Sequence, residues 1–172
     1  AVSVSVIIGL MMANGLPRNG WAGLTKRRLI GVHEATALAG LVAIAVHGVT
    51  LLGDSFIHPT LTQIAVPFTL GYRPAFTGMG IIAGWLAALL GLSFYARRWV
   101  GAKRWRSLHR ATIAVWALGV VHTLGAGTDA SQPWMEAILL VPGGPIVGLF
   151  LLRVLGSRGR TPATVPARSP GE

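Results

Sequence analysis

The apolar residues of this chain come in blocks. Five stretches, residues 1–16, 29–53, 75–96, 108–126 and 134–155, carry few charges, and polar or Gly- and Pro-rich connections separate them. All but the first have close to or more than the about 20 residues that cross a ~30 Å hydrocarbon core at 1.5 Å per residue. A segment in hydrocarbon must satisfy its own backbone hydrogen bonds, and these runs are about twice the length of a barrel strand, so helices are expected. Composition removes the soluble alternative: 52% of the 172 residues are hydrophobic and 12% are charged, against about 25% charged in a typical soluble chain. The expected fold class is an all-α membrane protein, a bundle of about five transmembrane helices over residues 1–155. A tail rich in Pro, Gly and Arg, residues 156–172, is expected to be disordered.

Two segments have special features. The first is short and lacks the charged start and small-residue cleavage site of a signal peptide; the chain opens inside an apolar run, so a further span upstream is left open. The last carries Pro142-Gly143-Gly144-Pro145 at its middle, where a kink or break is expected.

The net charge of +10 is distributed as a topology signal rather than as a nucleic-acid footprint. Of the 15 Lys and Arg residues, only Arg73 falls in the second or fourth connection, which also hold Asp54 and Asp129. The rest, among them Lys26–Arg28 and Lys103–Arg106, lie in or beside the first and third connections and at or after the end of the last segment, Arg110 and Arg153 falling just inside segment ends. By the positive-inside rule those regions are cytoplasmic, which places Ala1 outside and the tail inside a multi-pass cell-membrane protein. The second connection, residues 54–74, is long for a structureless loop. Its Pro59–Phe68 stretch is apolar enough to lie along the outer membrane face as a short helix covering something on that side.

Four of the five histidines fall within the apolar segments: His33 and His47 on the second, His109 and His122 on the fourth. Ionisable groups inside a membrane are costly and usually functional. One intervening span makes the second and fourth segments parallel. His33 and His109 then lie near the cytoplasmic ends and His47 and His122 near the outer ends. Spacings of 14 and 13 residues correspond to rises of about 21 Å and 19.5 Å. Two levels result, each with one imidazole from each helix, the arrangement needed to ligate two stacked haems between these helices. The angular match is uneven. At 100° per residue His47 lies about 40° from His33, whereas His122 lies about 140° from His109 on an ideal helix. Tilt, unwinding near Gly119 or haems on different sides of that helix would be required.

Further residues sit where haem would need them. Gly40 lies midway between His33 and His47, flanked by Gly31 and Gly48, and would let a flat macrocycle approach the backbone. Trp116 lies midway between His109 and His122, either as an aromatic stepping stone or as a lipid-facing side chain. Arg73 is expected either to pair with propionates of the outer haem or to anchor its span at the headgroups with Tyr72. His58, in the outer connection, reads either as an exposed loop residue or as part of an acceptor-side site. The chain has no cysteine, which removes covalent CxxCH haem attachment, thiolate clusters and disulfides.

The two histidine pairs, together with the fragments VHEATALAGLVAIAVHGVTLLGD, YRPAFTGMG and LSFYARRWVGAKRWRSLHRATIAVWALGVVHTLGAGTD, resemble the ferric reductase-like transmembrane domain. That superfamily includes ferric reductases, NADPH oxidases and the haem subunit of the periplasmic methionine-sulfoxide reductase system. The resemblance covers roughly residues 29–129. It implies six helices in the related family and two non-covalent b-type haems, bound by His33 with His109 inside and by His47 with His122 outside. Family oxidases continue into flavin and nicotinamide domains, whereas about 17 residues follow the last apolar segment here. The expected partners are therefore the lipid bilayer, a separate flavoprotein or quinol as electron donor, and an outer-side acceptor or reductase subunit. The expected function is electron transfer across the membrane by a probable subunit of an oxidoreductase. The alternatives are a terminal ferric or oxygen reductase, a haemless transporter of divalent metal, and a haemless membrane scaffold.

Overall fold

A computed structural model describes residues 1–16 and 26–158, and every regular element among them is helical. In chain order these are α1 (Val2–Ala13), α2 (Lys26–Thr50), α3 (Leu61–Ala65), α4 (Pro74–Val100), α5 (Ala102–His109), α6 (Thr112–Ala126) and α7 (Pro133–Arg158), with a 3-10 turn at Leu51–Gly53 after α2. Three helical segments are long and apolar enough to cross a membrane: Lys26–Gly53, Pro74–Val100 and Pro133–Gly156. With 12 and 15 residues, α1 and α6 reach about 18 Å and 22 Å, short of the full hydrocarbon core.

Burial is inverted relative to a soluble protein. Ile146 is the one large side chain fully enclosed among the described residues, while Val42, Val49, Leu140 and Val141 are 63%, 64%, 72% and 74% exposed. An apolar surface of this extent needs an apolar partner, and on helices of these lengths lipid is the matching solvent.

Neighbouring contacts give the helix directions. Val2 lies over Gly40, and Ser5 and Gly9 lie against His33, so α1 runs antiparallel to α2. Gly80 meets His122 and Phe76 meets Gly125, so α4 runs antiparallel to α6 in the most extensive pairing of the fold. Gly84 and Gly91 of α4 face Ile44 and Leu41 of α2, again antiparallel. As expected from their order, α2 and α6 are therefore parallel. The ends of α1 and α7 are tied together, Asn14 Nδ2 donating to the Leu149 carbonyl at 3.0 Å and Arg153 Nη1 to the Ala13 carbonyl at 2.8 Å.

Three expectations about element bounds are corrected. The break at Pro142-Gly143-Gly144-Pro145 is absent, for α7 is one continuous helix that contains both prolines. Packing of α1 along α7 supports a helix that has lost two backbone donors. The segment expected as one helix over 108–126 is two, with α5 beginning six residues earlier. Gly101 ends α4 at φ 86°, a left-handed value that glycine adopts without strain, and this turn starts α5. The last helix also extends to Arg158, three residues into the expected tail; residues 159–172 lie outside the described residues, as does the connection over 17–25.

The connection over residues 54–74 contains a short helix as expected. Thr60 and Gln63 form a capping box at the start of α3. The segment turns back along α4, where Trp85 Nε1 donates to the Ala65 carbonyl at 2.8 Å and the Phe68 ring lies on Gly78. Asp54 closes the turn after α2: its Oδ1 accepts from Phe56 N and Ile57 N at 2.9 and 2.7 Å. Those two bonds, Ile57 first, hold its carboxyl below the usual carboxylate range.

The α4–α6 contact is tight enough to test. A Cβ at Gly125 would overlap the Phe76 ring, whereas one at Gly148 would meet nothing within 4 Å. Gly125→Ala is expected to destabilise the bundle by about 1–3 kcal/mol and Gly148→Ala not at all, read from unfolding of the full chain in detergent.

Candidate functional site

Both histidine pairs expected across α2 and α6 come together, one of them by way of α5. The His33 and His109 rings lie 6.0 Å apart between centroids at 86°, and the His47 and His122 rings 6.3 Å apart at 69°. The helices that carry them scarcely touch each other: α2 packs on α1 and α4, and α6 on α4 and α1. The imidazoles thus meet from two helices that pack on the shared neighbours α1 and α4.

The uneven 13-residue spacing is accommodated at the α5–α6 junction, not near Gly119. Around Arg110 and Ala111 the backbone bonds shorten to the i−3 type, Ala111 N to Leu108 O and Ala114 N to Ala111 O at 2.9 Å each. A 3-10 step turns 120° instead of 100°, so steps of this kind at the junction turn His122 toward the face of His109 and reduce the ideal-helix offset. Thr112 Oγ1 bonds the His109 carbonyl at 2.8 Å and helps close the junction.

Hydrogen bonds orient two of the rings. His33 Nδ1 lies 2.9 Å from the Ser5 carbonyl, and His122 Nδ1 lies 3.0 Å from the Phe76 carbonyl. A carbonyl only accepts, so Nδ1 carries the proton in each case and Nε2 keeps its lone pair, the form of imidazole that binds a metal. Ser5 is buried, and its hydroxyl also donates to the His33 carbonyl at 3.3 Å. Glycines make room for both rings. A Cβ on Gly9 would stand 3.2 Å from His33 Cε1, and one on Gly80 would overlap the His122 ring.

Two axial imidazole–metal bonds of about 2 Å, plus about 1.1 Å from each nitrogen to its ring centre, separate opposed centroids by about 6 Å. A T-shaped ring contact falls in the same range. Among the described residues His109 Nδ1 is the one buried side-chain polar atom without a hydrogen-bond partner, a costly state that a bound ligand would relieve. The described residues contain no group of three or more His, Cys, Asp or Glu side chains able to hold an ion. Two imidazoles per level would suit a metal carrier that brings its remaining ligands with it, as a haem does.

No family model, curated protein or solved structure matches the chain.

The remaining expected residues divide. Arg73 caps α4 in a left-handed conformation, φ 40°, unusual for a non-glycine residue. Its Nη1 bonds the Gly125 carbonyl in the last turn of α6, one turn beyond His122, while Tyr72 Oη donates to the Ala126 carbonyl at 3.2 Å. Gly40 is buried against Val2 of α1, and it lines a cleft of about 350 Å³ together with Ser3, Ile44 and His47. Gly31 and Gly48 face open space. Trp116 points inward, its Nε1 donating to Ser3 at 3.2 Å. His58 is exposed in the outer loop, away from either pair. Sequence reasoning missed Ser5, Gly80 and Trp105. Only Trp105 had a visible signal, since it lies four residues before His109 and therefore on the same helical face.

The assigned tautomers can be checked without any ligand. Nitrogen NMR of the full chain labelled at histidine is expected to show His33 and His122 protonated at Nδ1, with Nε2 unprotonated. Protonation at Nε2 in either would contradict the assignment.

Proposed function

We propose that this chain is a di-haem b-type membrane cytochrome, a bundle of five membrane-embedded helices that carries electrons from a cytoplasmic-side donor to an outer-side acceptor. One observation carries the reading: two helices that scarcely touch hold two imidazole pairs at separate levels, each at the spacing of a shared axial metal. The resemblance of these histidine pairs and their flanking segments to the ferric reductase-like transmembrane domain points the same way.

In this reading His33 and His109 hold the inner haem and His47 and His122 the outer one. Bound haem iron would supply one-electron redox chemistry. The chain sets spacing, burial and ligand basicity. The Ser5 and Phe76 carbonyls, accepting from His33 and His122, fix the ring planes and raise the basicity of the ligating nitrogens. With no cysteine in the chain, axial coordination and packing alone retain the haem. Arg73 uses Nη1 on Gly125, and the guanidinium fork has further donors suited to an outer propionate. The inner side carries Lys26–Arg28 and Lys103–Arg106, a cationic face suited to an acidic flavoprotein donor.

Removing one ligand tests the assignment level by level. His122→Leu is expected to cost the outer haem or make it five-coordinate, leave the inner haem six-coordinate and stop transfer to an external acceptor. His109→Leu is expected to leave the outer haem bound yet no longer reducible from the cytoplasmic side. Two low-spin haems with normal transfer in His122→Leu would overturn the outer assignment. For Arg73→Ala, a shifted outer-haem potential or reduced occupancy is expected; no change in either would leave Arg73 only its place at the α4–α6 corner.

A further inference from the structure

Trp105 stands in a different relation to the site from every residue considered so far. It is half-buried, and its indole stacks on the His109 ring, 4.9 Å between centroids and 22° from parallel. Its Nε1 donates to Ser93 Oγ at 3.1 Å, and Ser93 in turn donates to the Leu90 carbonyl at 2.6 Å. The Phe94 ring meets the indole edge-on at 5.9 Å, and Arg97 lies 3.7 Å over Phe94. The indole is therefore held at its nitrogen and its edge by the last turns of α4, and offers one face to His109.

His109 needs such a support. His33 and His122 are oriented by a carbonyl at Nδ1, but His109 Nδ1 is buried with no hydrogen-bond partner. It also sits at the last residue of α5, beside the junction where the helix changes winding. Nothing polar fixes rotation of its ring. Stacked aromatic rings favour one relative orientation beyond their burial, and that preference selects the ring rotamer.

We infer that Trp105 is a positioning residue for the inner haem site, setting the plane of the His109 imidazole by stacking in place of the hydrogen bond its partner His33 donates to α1. This rests on the proposed haem ligation and adds to it a means by which α4 controls the inner ligand. The consequence is asymmetric: His33 is tied through a polar bond to α1, His109 through an aromatic stack to α4. The near-perpendicular 86° between the two rings is then a product of both supports. A bis-imidazole haem reports that angle directly, because perpendicular axial planes give a strongly anisotropic low-spin electron paramagnetic resonance signal.

The test uses the full haem-loaded chain in detergent, with wild type, Trp105→Ala, Trp105→Phe and Ser93→Ala compared by low-temperature resonance spectra and haem content. Trp105→Ala is expected to broaden or shift the inner-haem signal and weaken inner-haem retention by about tenfold, with the outer signal unmoved. Trp105→Phe keeps a stacking face and is expected to restore the wild-type signal. Ser93→Ala frees the indole and is expected to move the inner signal in the same direction as Trp105→Ala, by less. An inner signal unchanged in Trp105→Ala would overturn the inference while leaving the haem assignment intact. Equal disturbance of both haems in Trp105→Ala and Trp105→Phe alike would also overturn it, since that marks a folding role. Wild-type chain that holds no haem would overturn the functional reading, and this inference with it.

Discussion

Four imidazoles inside an apolar bundle set the terms for everything around them. Hydrocarbon offers no water to satisfy a ring nitrogen, so each must find a partner from the protein or from something the protein binds. Carboxylates, the usual partners, are nearly absent: the chain has five acidic residues in all, and those of the described outer connections lie beyond the helices. Two rings use backbone carbonyls at Nδ1. That solution satisfies one nitrogen and leaves the other with a lone pair, the form of imidazole that can ligate a metal.

Two neighbouring helices, α1 and α4, flank the rings, and each supplies contacts to them. From α1 come Ser5 and Gly9 against His33; from α4 come the Phe76 carbonyl and Gly80 against His122. Glycine is used where a ring passes close to a backbone, and a single methyl group at Gly80 would occupy the space of the His122 imidazole.

Much of this was legible in the sequence, and the limit has a physical cause. Length and apolarity located the long helices because membrane thickness is a strong constraint on a contiguous run. The histidine pairing was legible because order and span count make alternate helices parallel whatever their packing. What was not legible depended on local winding or on contacts across helices. The α5–α6 junction carries no proline or glycine at Arg110–Ala111, so nothing in composition marks a change from i−4 to i−3 bonding. The Pro142–Pro145 stretch misled in the opposite direction, because neighbouring helices decide whether lost backbone bonds break a helix. Gly40, singled out by its position between two histidines, meets Val2 of α1, while Gly80, on a helix with no histidine, is the glycine that makes room for a ring.

The account's central claim is that metal-bearing macrocycles lie between the paired imidazoles, one at each level. A reduced-minus-oxidised absorption spectrum of the purified full chain, calibrated by pyridine haemochrome against protein concentration, tests it most directly. The account predicts a low-spin b-type spectrum, two haems per chain, and release of the haem by acid–acetone. A chain that shows no such spectrum, or holds one haem or none after expression with ample haem supply, would contradict it.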